Sequence, residues 1–202
     1  MGSGNSFTTP VLSSTTTYYA QADDGICPSN RVSAVATVGS VPTSPVTVSS
    51  DRCGTGTIIL TASASDPVKW FDAATGGSQV GSGNSFTTPV ISSTTIYYAI
   101  TDNGACVSNR IPANAAINPL AADPLTSSVA RCGSGTVLLA ATASDPVTWF
   151  DAATGGNQVG TGNSFTTPLL SATTIYFAMT SNGQCSSNAI ATAAVINALP
   201  IV

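Results

Sequence analysis

The chain has 202 residues, of which 43% are apolar and only 7% charged; five Lys or Arg face nine acids, all Asp, there is no His, and the net charge is −4. So few bases exclude a surface for nucleic acid, whose affinity rests on Lys and Arg contacts, and docking on an anionic membrane with it. No run approaches the roughly 18 apolar residues of a membrane span, so no membrane insertion is expected, and an export signal is expected to lie outside the chain.

In chain order the dominant feature is a repeat. Arg52-Cys53-Gly54 through Asn84-Ser85-Phe86-Thr87-Thr88-Pro89 to Cys106 returns as Arg131-Cys132-Gly133 through Asn163-Ser164-Phe165-Thr166-Thr167-Pro168 to Cys185, about 79 residues later and with no insertion. About 49 of 79 positions are identical between the two copies. Asn5-Ser6-Phe7-Thr8-Thr9-Pro10 and Cys27 fall on the same offset. The expected organisation is the C-terminal half of a repeat over 1–39, complete repeats over 40–118 and 119–197, and the start of a further one over 198–202. The chain reads as a window on a longer array.

Within a repeat, helix signals are missing and short strand signals alternate with Gly, Pro, Asn, Asp and Ser. Val46 to Ser50 is a first strand. Thr57 to Ala62 is a second, with Ile58, Leu60 and Ala62 alternating toward one face. Val68-Lys69-Trp70-Phe71 is a third, followed by a turn over Asp72 to Gly77 and extended pieces at Gln79-Val80 and Ser85 to Thr88. Ile96 to Ile100 is the clearest later strand, and a last one follows Cys106 with Ile111, Ala113, Ala115 and Ile117 on one side. The fold class is all-β: about seven strands with one Trp on the third describe an immunoglobulin-like sandwich repeated in tandem.

Five cysteines divide as Cys53 and Cys106 in one repeat, Cys132 and Cys185 in the next, and Cys27 in the half repeat. One bridge inside each repeat accounts for the odd total, with Cys27 unpaired by truncation, and points to an oxidising compartment. Such a bridge, closing about 54 residues, contributes about 4 kcal/mol at most in the chain-entropy model. Buried free thiols in a reduced compartment are the rival reading. Two thiols without His cannot fill a zinc shell.

The pattern Arg-Cys-Gly-x-Gly-Thr, then Trp70-Phe71-Asp72-Ala73-Ala74-Thr75-Gly76-Gly77, then Phe86-Thr87-Thr88-Pro89, then Thr94-Thr95-Ile96-Tyr97-Tyr98-Ala99, then Cys106 with Ser108-Asn109-Arg110, resembles the bacterial Ig-like repeats of very large Bacteroidota surface and secreted proteins. The resemblance covers both whole repeats and the half. It implies an extracellular setting of adhesin or gliding-filament type, and it carries no catalytic or ligand residues to transfer.

Candidate chemistry is thin. Without His or Glu the usual base for a Ser or Cys nucleophile is missing, so no enzyme and no cofactor is expected. The repeating carboxylates Asp66 with Asp72 and Asp145 with Asp151 flank a strand about 20 Å long, too far apart for a glycosidase pair, and read as turn caps. Asp23-Asp24 and Asp102-Asn103 lack the spaced carboxylates of a calcium loop and become Ser181-Asn182 in the last copy. Trp70 and Trp149 alternate in phase with Val68 and Val147 and read as core rather than as sugar platforms. Phe71, Tyr97, Phe150 and Tyr176 are the expected contact surface.

Between repeats, Pro119 and Pro124 stiffen a junction poor in Gly, so successive sandwiches are expected to stack end to end. The expected partners are neighbouring repeats, self-association into fibres, and a glycan or protein ligand. The leading expectation is a non-enzymatic stalk or filament segment; the alternatives are repeats that adhere directly and an accessory module of a secreted hydrolase.

Overall fold

The computed structural model describes residues 2–201, so Met1 and Val202, the outermost residues of the two flanking pieces, lie outside the described residues. Among the described residues all regular structure is strand. The half repeat supplies β1 (Thr16–Ala20) and β2 (Val32–Ala36). The first whole repeat supplies β3 (Val46–Val48), β4 (Ser50–Cys53), β5 (Ile59–Ser63), β6 (Val68–Phe71), β7 (Gln79–Ser82), β8 (Ser85–Thr87), β9 (Thr95–Thr101) and β10 (Ile111–Asn118). The second supplies β11 (Leu125–Thr126), β12 (Val129–Cys132), β13 (Leu138–Thr142), β14 (Val147–Phe150), β15 (Gln158–Thr161), β16 (Ser164–Thr166), β17 (Thr174–Thr180) and β18 (Ile190–Asn197).

The second repeat is a sandwich of a three-stranded sheet, β11-β13-β16, on a five-stranded sheet, β12-β18-β17-β14-β15. Period-two alternation sets its core. Leu139, Ala141 and Phe165 from the smaller sheet, with Val137 just ahead of β13, meet Val147, Trp149, Tyr176, Ala178 and Ala194 from the larger. The first repeat has the same strand order, β3-β5-β8 and β4-β10-β9-β6-β7. Ile58, Leu60, Ala62, Val68, Trp70, Phe86, Tyr97 and Ala99 are its buried counterparts.

One strand departs from the sequence reading. The first strand was expected over Val46 to Ser50 with Cys53 ahead of the next; instead the chain pairs β3 with β5, then changes sheets at Ser49 and runs as β4 beside β10. The β4–β10 ladder is parallel, with Cys53 opposite Asn118, and its copy sets Cys132 opposite Asn197. Ser-Asp-Arg-Cys has no apolar alternation to announce a strand. Its place is set by the backbone ladder and by Asn118 Nδ2, which donates to Asp51 Oδ2 at 2.7 Å.

In the half repeat β1 and β2 pair as one antiparallel hairpin, on which Tyr19, Val32 and Val35 are exposed. Backbone proximity divides the chain into two compact units. One comprises Met1–Ser49, Ile59–Phe86 and Ile96–Ala113, the other Ser50–Ile58, Thr87–Thr95 and Asn114–Val202.

Candidate functional site

The motifs that repeat most strictly build the sandwich interior. Trp149 is fully buried, and its indole N–H donates to Gly162 O at 3.0 Å; Trp70 donates to Gly83 O at 2.9 Å. The carbonyl comes from the tip of the Gly-x-Gly-Asn-Ser-Phe hairpin, so the fixed distance from Trp to hairpin is a hydrogen-bond constraint. A Cβ on Gly160 would stand 2.7 Å from the Phe165 ring, and the ring instead lies over bare backbone. Phe165 stacks on Trp149 at 5.8 Å and meets Tyr176 edge-on at 5.1 Å. The first repeat has the same trio in Trp70, Phe86 and Tyr97.

That trio corrects half of the expected contact surface. Tyr97 and Tyr176 are each only 6% exposed, because their strand turns them toward the ring of Phe86 or Phe165. Burial first, and then the carboxylate of Asp72 or Asp151, pushes each phenol above the ordinary tyrosine range. Phe71 and Phe150 are half-buried on the opposite face of their strand. Arg110 covers Phe71, with Cζ 4.0 Å above the ring centroid and a hydrogen bond donated to Ala73 O. In the second repeat the matching position is Ala189.

Of the four repeating carboxylates Asp72 and Asp151 cap their turns, whereas Asp66 and Asp145 accept from the hydroxyls of Ser65 and Ser144. Asp72 Oδ1 accepts from Ser78 N and Asp151 Oδ1 from Asn157 N, both at 2.7 Å. Asp102 Oδ1 accepts from Gly104 N, while Oδ2 accepts from Lys69 Nζ at 2.5 Å; this pair holds the Asp102 carboxyl below its usual range. Lys69 and Asp102 line an open depression with Asp66, Pro67, Asn103 and Gly104. The second repeat has Thr148 and Ser181 at these two places, so the pair does not recur with the array. Among the described residues no group of three His, Cys, Asp or Glu is placed to hold a metal ion.

Arg-Cys-Gly-x-Gly is the motif whose role sequence reasoning missed. The Arg52 guanidinium lies where a Cβ on Gly56 would stand, 1.9 Å from Nη1, and donates to Thr57 O at 3.0 Å; Arg131, Gly135 and Thr136 repeat this. Gly54 takes φ of 67°, donates to Asn118 O at 2.9 Å and packs on Leu120. The motif therefore folds the strand end carrying Cys53 onto the start of the junction. Only a repeated Gly spacing signalled it.

The cysteine pairing differs from the expected one. Cys53 is bonded to Cys185, 132 residues on, while Cys27, Cys106 and Cys132 are free. The expected pairs Cys53–Cys106 and Cys132–Cys185 do not form, and the parallel ladder gives the reason. Cys132 lies opposite Asn197, the last residue of β18, whereas Cys185 lies in the turn before Ile190, where β18 begins. The seven residue steps from Ile190 to Asn197 put about 23 Å between those levels, against the roughly 7 Å limit between bridged Cα atoms. The bridge instead spans the junction, where Asn182 Nδ2 donates to Pro119 O at 3.2 Å and Cys185 N donates to Asn182 Oδ1 at 2.8 Å.

A family model described as Ig-like domain, CHU_C associated, matches residues 42–119 and again 121–198. The chain belongs to this Ig-like family. The family is associated with Bacteroidota, as the sequence resemblance implied, and its tandem sandwiches are structural or adhesive modules, typically non-catalytic. No curated protein matches the chain. Solved structures similar to these Ig-like repeats include a mouse coronavirus receptor-binding domain complexed with its murine receptor, at 8% identity and TM-score 0.39, covering 74% of this chain and 96% of that one. The I9-I11 tandem from titin is 12% identical at TM-score 0.35, covering 77% and 65%. The N-terminal Ig1-2 module of the Drosophila receptor protein tyrosine phosphatase DLAR is 14% identical at 0.31, covering 77% and 96%. Likeness at this level carries no argument about what the chain does.

Proposed function

We propose that the chain is a segment of an extracellular bacterial surface or secreted protein in which tandem Ig-like repeats act as a non-enzymatic stalk or filament and present adhesive or active domains located elsewhere. The observation that carries the reading is the Cys53–Cys185 bond, which ties one repeat covalently to the next. A bond at a junction limits how far an array lengthens under load, a property of use to a stalk and of none to a freely jointed linker. The bond also favours an oxidising compartment, and the family setting points the same way.

Pulling the full chain by its ends tests the proposal. Oxidised protein should unfold without releasing residues 53–185, since the bond shorts them out of the load path. With reductant, that stretch should add its full contour, at most about 3.6 Å for each residue. Equal extension in both conditions, or unfolding at forces too small to resolve, defeats the load-bearing role.

A direct adhesive reading is favoured by one observation: Val46 and Ile59 in the first repeat, and Leu125 and Leu138 in the second, leave an exposed aliphatic strip on the smaller sheet. The same strip would serve side-by-side packing into fibres. Specific retention of the chain by a glycan or protein array would move the assignment from stalk to adhesin.

A further inference from the structure

Cys106 and Cys132 are free, and the surroundings of each repeat one side of the Cys53–Cys185 junction. At the bonded junction Gly54 N donates to Asn118 O, Gly54 packs on Leu120, and Cys53 is presented to Cys185. At the far end of the second repeat Gly133 N donates to Asn197 O at 2.9 Å, Gly133 packs on Leu199, and Cys132 stands exposed in the place of Cys53. On the other side, Asn103 Nδ2 donates to Ser40 O at 2.9 Å as Asn182 Nδ2 does to Pro119 O. A Cβ on Gly39 would stand 3.1 Å from Cys106 Sγ, and Gly39 is the counterpart of Asn118, whose carbonyl lies 4.0 Å from Cys185 Sγ. The end that carries Cys132 repeats the Cys53 side of the bonded junction, and the end that carries Cys106 repeats its Cys185 side.

We propose that each repeat is bonded to both neighbours: its first cysteine to the second cysteine of the repeat that follows, its second to the first cysteine of the repeat that precedes. The partner of Cys132 is therefore the Cys185 counterpart of a following copy, and the partner of Cys106 is the Cys53 counterpart of a preceding one. Bond formation removes one proton from each thiol. The electron pair passes to the disulfide of an oxidised thiol–disulfide oxidoreductase, which leaves as its dithiol. The result is a covalent ladder in which every junction carries one bond and no repeat is closed on itself. This holds whether the array bears load or adheres.

The test is the full chain with one further copy of residues 119–197 inserted after Asn197, refolded with oxidised glutathione, which takes up the electrons as two molecules of glutathione. Non-reducing peptide mapping should find Cys53–Cys185 and a second bond from Cys132 to the inserted counterpart of Cys185, with Cys106 alkylated as a free thiol. Cys132→Ser in the same protein should remove the second bond alone. Bonds from Cys53 to Cys106 and from Cys132 to Cys185 would overturn the proposal, as would a Cys132 that stays free while Cys53–Cys185 forms. Because the readout is connectivity, it stands apart from the pulling experiment, which reads load-bearing.

Discussion

The Arg110 guanidinium lies over the Phe71 ring, Cζ to centroid 4.0 Å, whereas Ala189 takes the matching position in the second repeat. The two repeats thus contain their own comparison of an outer-face phenylalanine with and without an arginine at the matching position. At a half-exposed site a cation over a ring contributes about 0.5–1 kcal/mol. Arg110→Ala should lower stability by about that amount, and Ala189→Arg should raise it by a similar amount in calorimetric melts. A destabilising Ala189→Arg would show that the bond from Arg110 to Ala73 O, and not the ring, is what holds the side chain.

Thr167 explains why the Phe-Thr-Thr-Pro motif keeps its second threonine. It is 2% exposed, its Oγ1 accepts from Val137 N at 2.9 Å and donates to Pro168 O at 2.9 Å. Thr167→Val preserves shape and leaves the Val137 N–H buried without an acceptor, which costs about 1–3 kcal/mol. Exposed Thr166 provides the control, and Thr166→Val should cost far less. Urea denaturation followed by tryptophan fluorescence compares the two; equal losses would refute the role given to the hydroxyl.

The buried tyrosines set an alkaline limit. The phenols of Tyr97 and Tyr176 lie above their ordinary range, by burial and then by the nearby Asp72 and Asp151 carboxylates. Below about pH 10 folded and unfolded chains are both protonated there, and the contribution to stability is complete. Above it the unfolded chain ionises while the folded chain holds its protons, so stability falls with rising pH until the folded phenols ionise as well. Tyr97→Phe with Tyr176→Phe should flatten that fall in melts between pH 9 and about 11 relative to the parent. An unchanged slope would mean that other groups set the limit.

Much of the sandwich was legible because its signals are local. The alternation of Ile58, Leu60 and Ala62 and the phase of Val68 with Trp70 follow from the two-residue period of a strand, which needs no knowledge of the partner strand. Turn caps at Asp72 and Asp151 were readable for the same reason. Tyr97 was misplaced because two adjacent tyrosines give no hint of which faces inward. The strand register decides that, and it turns Tyr97 onto Phe86.

By itself the sequence determined the repeat, its length, the all-β character and the buried Trp. Repeat and periodicity are properties of the chain read along one dimension. Only the tertiary structure decided which cysteines meet. The polar strand Ser50–Cys53 lies parallel to β10 and brings Cys53 to that strand's end, while the second cysteine of a repeat sits in the turn at its beginning. Two cysteines of one repeat are thereby held a strand's length apart, and the nearer sulfur belongs to the next repeat: Cys53 meets Cys185.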